Sequence, residues 1–187
     1  MQELPAIVVV IIVVLIAVIA GLWFYQRKRS EALRDKFGPE YDRVVTEADS
    51  RLGAESELKQ REKRVDQLEI RPLEPDSRQR YQERWRDLEQ RFVDDPAEAV
   101  TEADRMVIEV MRERAYPVES FEQRASDLSV EHPNVVENYR RAHGIAVQHE
   151  QGEADTEDLR QAVVSYRALV EDLLGHDENS SENEERI

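Results

Sequence analysis

The chain contains no cysteine, which excludes a disulfide framework, a thiolate nucleophile and any Cys-based zinc or iron–sulfur site. Glycine is scarce: six residues in 187, scattered, none arranged as Gly-x-Gly-x-x-Gly or as a Walker loop. No loop therefore brings bare backbone amides to a phosphate. The four histidines are equally uninformative as ligands, because none follows a Glu by three positions and none belongs to a His-Glu-x-x-His unit. The ligand patterns of di-iron bundles and zinc proteases are thus missing. Lysine is nearly absent, with four residues against twenty-two arginines, a bias that GC-rich codon usage explains more simply than salt adaptation. No segment alternates apolar and polar residues with period two, so sheet has no support in the sequence.

Charge of one sign dominates. Charged residues make up 36% of the chain and the formal net charge is -15. Such a field repels phosphate backbones and anionic lipid, which argues against nucleic acid as a partner away from a local basic patch and favours basic proteins or cations.

There is a single long apolar run. Leu4 to Tyr25 holds 22 residues without a charge, fifteen of them Leu, Ile, Val or Phe. At about 1.5 Å per residue this helix reaches roughly 33 Å, enough for a hydrocarbon core of about 30 Å. Trp23 and Tyr25 stand where an interfacial aromatic belt belongs. A cleaved signal peptide ending near Val18-Ile19-Ala20 is the rival, but no Lys or Arg precedes the run and it is longer than a signal core. Arg27, Lys28 and Arg29 follow it and, by the positive-inside rule, put the amino terminus outside and the remaining chain in the cytoplasm. Ala17 and Gly21 form a small-xxx-small pair of the kind that lets two such helices pack closely as a homodimer, although plain lipid-facing residues are the commoner meaning of such a pair.

The remainder reads as helices. Gly38-Pro39 stops one helix and opens the next. Tyr41, Val44, Val45, Ala48 and Leu52 share a face, but Gly53 to Gln67 is mostly charged, the pattern of a half-buried stalk. Arg71-Pro72-Leu73-Glu74-Pro75 reads as a linker. Apolar stripes then follow at Tyr81, Trp85, Leu88 and Phe92; at Ala99 to Met111, behind an Asp95-Pro96 start; at Val118 to Leu128; at Val135 to Val147; and at Leu159 to Leu173, up to a stop at Gly175. Helices of this kind bury their stripes only on one another. The expected fold class is all-α: a transmembrane helix (4–25), a basic neck and charged stalk helix (26–70), a helical bundle (76–175) and a disordered acidic tail (176–187).

Among ionisable groups, His143 stands mid-stripe between Tyr139 and Ala146 and reads as a packed, hydrogen-bonded core histidine. Trp85, Tyr139 and His143 are the residues from which a pocket would be built; aromatics at helical spacing mostly form core. Carboxylates alternate with arginines, as at Arg84, Arg86, Asp87 and Glu89, the mark of solvated ion-paired faces. No catalytic, metal or cofactor-binding residues are expected, and no cofactor.

Four stretches also carry a likeness: Phe37-Gly38-Pro39-Glu40-Tyr41, Arg91-Phe92-Val93-Asp94-Asp95-Pro96, Tyr116 to Ala125, and His132-Pro133. On these the chain resembles uncharacterised single-pass membrane proteins of high-GC bacteria, a resemblance that implies no activity. The functional expectation is a non-enzymatic, membrane-tethered helical interaction module, a scaffold or adaptor contacting the lipid bilayer and another protein. The alternative is a ligand- or pH-sensing bundle with a pocket near His143 and Trp85.

Overall fold

The computed structural model describes the backbone of residues 3–184 and the side chains of residues 15–18, 20–21, 23–24 and 27–175. The described residues are helical, without a strand. In chain order the helices are α1 (Glu3–Phe37), α2 (Pro39–Glu47), α3 (Arg51–Val65), α4 (Pro75–Arg91), α5 (Pro96–Glu113), α6 (Phe121–Glu131), α7 (Val136–Glu150) and α8 (Thr156–Glu184). Among the described residues no helix is long and apolar enough to cross a membrane. Most side chains of the apolar run, on which a transmembrane reading of 4–25 rests, lie outside the described residues.

Local chemistry sets most of the boundaries. Proline opens α2, α4 and α5, where its missing N–H costs no helical bond. Ser50, Asp95 and Ser120 cap α3, α5 and α6 by accepting from the backbone N–H of Gly53, Glu98 and Gln123. Gly38 joins α1 to α2 at φ 48°, ψ −125°, a conformation open to glycine and costly for any residue with a Cβ. Helix α5 ends in a Schellman motif, with the N–H of Tyr116 bonded to Met111 O and that of Ala115 to Arg112 O. The left-handed position of that motif is filled by Ala115 at φ 68°.

Two apolar clusters organise the packing. The larger is built by α4 to α8, with α5 against α4, α7 and α8, and with α7 along α8. Met106, Met111, Leu128, Tyr139, Tyr166, Leu169 and Leu173 fill it without measurable exposure. The smaller joins Leu33 and Phe37 of α1, Tyr41 and Val44 of α2, Ala54, Leu58 and Val65 of α3, and Val130 of α6.

Three expectations are corrected here. The segment 26–70 is not one neck and one stalk helix. It is the end of α1 followed by α2 and α3, broken at Ser50, and α3 packs on α6. Several of its charged residues point inward, which a stalk would not require. Arg61 reaches Glu40 and the hydroxyl of Ser129, and Arg64 pairs with the fully buried Asp127. Residues 71–75 are not a free linker either: Leu73 is buried, the N–H of Arg71 donates to Arg114 O, and Leu68 and Ile70 pack against both clusters. Finally, α8 runs through Gly175 to Glu184. Gly175 lies outside the left-handed region, so it does not act as the helix stop that a C-terminal glycine usually provides. The side chains of the acidic tail, 176–187, lie outside the described residues.

Candidate functional site

The surface feature with the most varied chemistry is a groove of about 400 Å³ between α4 and α8. Its base is formed by Trp85 of α4 and by Val170 and Leu174 of α8, all nearly buried. Trp85 and Val170 come from the two helix stripes legible in the sequence, Leu174 lies just past the second, and α5 lies against both helices. The rim carries Arg78, Gln82, Arg86 and Glu89 on one side and Arg167 and Glu171 on the other.

Glu89 ties the two walls together. It accepts from the indole N–H of Trp85 at 3.0 Å and from Arg167 of α8 at 2.8 Å, while the Nε of Arg167 donates to Glu171 at 2.7 Å. A buried indole whose N–H is satisfied holds its ring in place, so Trp85 gives the groove a fixed base rather than a mobile lid. The described rim thus presents three guanidinium groups and two carboxylates.

The other two residues singled out as pocket formers lie elsewhere. Tyr139 is fully buried in the larger cluster, its hydroxyl accepting from Arg124 Nε at 2.7 Å, with its ring 5.0 Å from Phe121 and 6.2 Å from Tyr166. Burial pushes its phenol up to about 12. His143 is half-buried and stacks on Phe121, with ring centroids 3.8 Å apart and planes 12° apart. Burial lowers its pKa, against the opposing pull of Asp104. The cleft beside it, about 130 Å³, is lined by Val100, Asp104, Ala146 and His149 among others. Phe121 therefore brings Tyr139 and His143 together, whereas Trp85 lines a different groove.

Sequence reasoning passed over the more deeply buried histidine. His132 is 2% exposed, and its Nδ1 is paired with Asp172 of α8. Enclosed in this way, the imidazole fixes the α6–α7 turn onto α8 and presents no surface to a substrate. Nothing local in His132-Pro133 signals a partner forty positions away.

A second overlooked group is Glu40 of α2, 2% exposed yet ionised. Arg43 and Arg140 each grip its carboxylate with two nitrogens at 2.7 to 3.0 Å, and Arg61 adds a bond at 2.6 Å. Burial works to raise its pKa, but the hydrogen bonds and charges of Arg43 and Arg140 prevail and hold it at about 2. This node locks α2, α3 and α7 together and so fixes the smaller cluster against the bundle.

Among the described residues no group of three or more His, Asp or Glu is placed to hold a metal ion. No protein-family model, curated protein or solved structure matches this chain.

Proposed function

We propose that the chain is a single-pass, membrane-tethered helical interaction module without catalytic activity of its own. In this reading Leu4 to Tyr25 spans the bilayer, and Arg27, Lys28 and Arg29 keep the folded part in the cytoplasm. The groove between α4 and α8 receives a protein partner. The observation that carries the reading is the continuity of α1: one helix, Glu3–Phe37, holds the apolar run at one end and the fully buried Phe37 at the other. The domain is thus mounted on its anchor without a flexible stalk, which suits a scaffold that presents one face at a fixed height. Ala17 and Gly21 are exposed on the same helix, with open space around Gly21, and suit close packing of two copies.

The sensing alternative has less support. Trp85 and His143 line separate clefts, and the imidazole is occupied by its stack on Phe121.

The test uses the full chain in its native membrane. A photo-crosslinking residue at Arg86, on the groove rim, should give one discrete protein adduct that weakens on Arg167→Glu. The same probe at Arg141, exposed on α7, should not give it. Identical adducts at both positions, or none at Arg86, reject the groove. In the cysteine-free chain, Val93→Cys, at a position 83% exposed, should resist membrane-impermeant thiol reagents in intact cells. Labelling there reverses the topology.

A further inference from the structure

A second cleft, about 450 Å³ in volume, lies between α1 and α3 and is lined by Trp23, Arg27, Arg34, Arg51, Leu52 and Glu55 among others. Its position follows from how the chain doubles back. Ser30 of α1 donates to Glu55 of α3, and Lys36 of α1, six positions on, donates to Glu62 of α3, seven positions on. The two helices therefore run parallel, and α2 is the antiparallel return. Counting back three residues from Ser30 and from Glu55 sets Arg27 level with Leu52. The first turn of α3 thus stands beside the end of the apolar run, two residues past Tyr25.

The side chains there suit the boundary between acyl chains and headgroups. Leu52 is 68% exposed and Trp23 is 61% exposed, a poor arrangement in water and a good one at a membrane interface. The guanidinium of Arg27 folds back over the Trp23 ring at 5.6 Å, and the ammonium of Lys28 over Phe24 at 5.3 Å, so both cations reach the level of the last aromatic residues. Arg27, Arg34 and Arg51 do have carboxylate partners in Glu31, Asp42 and Glu55. The Arg27 and Arg34 pairs are exposed on both sides, and exposed pairs of this kind hold their partners only weakly against solvent. A phosphate can therefore share these guanidinium groups. Glu55 is less available, because Ser30 Oγ at 2.6 Å, Tyr41 OH at 2.9 Å and Arg51 Nε at 3.0 Å all donate to it. Its role is to fix Arg51 at the mouth of the cleft. Exposed Glu47 and Asp49 flank the α2–α3 turn, so no broad basic field exists, and recognition falls to the few guanidinium groups in the cleft.

Resting on the anchored topology above, we infer that this cleft binds the phosphodiester of a membrane phospholipid. Arg27 and Arg51 hold the phosphate, and Trp23 and Leu52 lie against the start of the acyl chains. Because the lining is nearly charge-balanced, the shared phosphate is recognised and the net charge of the headgroup is not.

The full chain in maltoside micelles, supplied with phosphatidylglycerol or phosphatidylcholine and examined by native mass spectrometry, should retain one phospholipid of either kind. It should not retain diacylglycerol, and millimolar inorganic phosphate should not displace the lipid. Arg27→Ala with Arg51→Ala should weaken retention about ten-fold, as loss of charge-assisted bonds worth about 1.4 kcal/mol implies, while Arg141→Ala leaves it unchanged. In phospholipid nanodiscs a polarity-sensitive dye on Leu52→Cys should emit further to the blue than the same dye on Val93→Cys. Should the double variant lose its helicity, the Leu52 label decides. Undiminished retention in a folded double variant, retention of diacylglycerol, displacement by inorganic phosphate, or equal emission from the two labels each overturns the proposal. Release of the chain from membranes by alkaline extraction would instead reject the anchor, whereas a firmly inserted chain with an indifferent cleft rejects this inference alone.

Discussion

The two clusters hold their helices together by different means. Among the described residues the bundle of α4 to α8 buries twenty-five apolar residues, and its polar contacts combine aromatic hydroxyls, such as Tyr166 donating to Asp104 at 3.0 Å, with ion pairs such as those of Arg84 to Glu102 and Glu109. The cluster of α1 to α3 buries, among the described residues, eight apolar side chains, one of them from α6. It encloses two carboxylates, Glu40 and Glu55, among them. Its cohesion comes from guanidinium groups reaching inward to those acids. Helix α3, with few apolar residues, is thereby held by ion pairs as well as by Ala54, Leu58 and Val65. The cohesion of such a region depends more heavily than the bundle's on pH and on each partner being present, because an unpaired buried charge is far costlier than a missing methylene.

The contrast can be broken most forcefully from the bundle side. Trp85→Ala should lower stability by about 3 to 5 kcal/mol, the range for truncating a buried aromatic. It should shift the urea midpoint of the whole chain in micelles. An unchanged midpoint would mean that Trp85 serves the groove and not the core.

Next comes Glu40→Ala, which leaves Arg43, Arg61 and Arg140 facing one another without their carboxylate. A loss of about 3 kcal/mol is expected, at the lower end for breaking a buried ion pair because the arginines are partly solvated. Hydrogen exchange should localise it: amides of α2 and α3 lose protection while α5 and α8 keep theirs. Acid tests the same node. The folded pKa of Glu40, about 2, lies below its ordinary 4.5. Its contribution is therefore complete above about pH 5 and is lost as the pH falls through 4.5 towards 2. The α1–α3 region should open before the bundle does on acidification. Simultaneous loss of both would show that the two clusters unfold as one unit.

The smallest effect sharpens the bundle's own account. Ala115 occupies a left-handed position that glycine adopts without strain. Ala115→Gly should raise stability by about 1 kcal/mol in the same urea titration. A destabilised variant would mean that the unfolded-state entropy of the added glycine outweighs the strain relieved.

The candidate groove was half legible. Trp85 stood out in the sequence because Tyr81, Trp85 and Leu88 repeat at helical spacing. Arg167, Val170 and Leu174 were equally visible as part of a stripe and its flank, but nothing placed them opposite Trp85. Their pairing through Glu89 spans 78 positions and depends on both helices packing on α5. His143 attracted notice because it interrupts an apolar face, while His132 sits beside a proline and looked like a helix boundary.

The sequence by itself determined the all-helical class, the lone apolar run, and the starts of α2 and α5 at prolines. It also determined the Asp95 cap. These features rest on interactions within one helical turn, so neighbouring residues suffice to specify them. The tertiary structure alone decided that α3 is packed and not a stalk, that Leu73 of the 71–75 segment is buried in the bundle, and that Glu40 meets Arg140 a hundred positions away. The physical reason is that a charged side chain looks the same in sequence whether water or a distant guanidinium solvates it. Only the folded arrangement of the helices brings those partners within hydrogen-bonding distance.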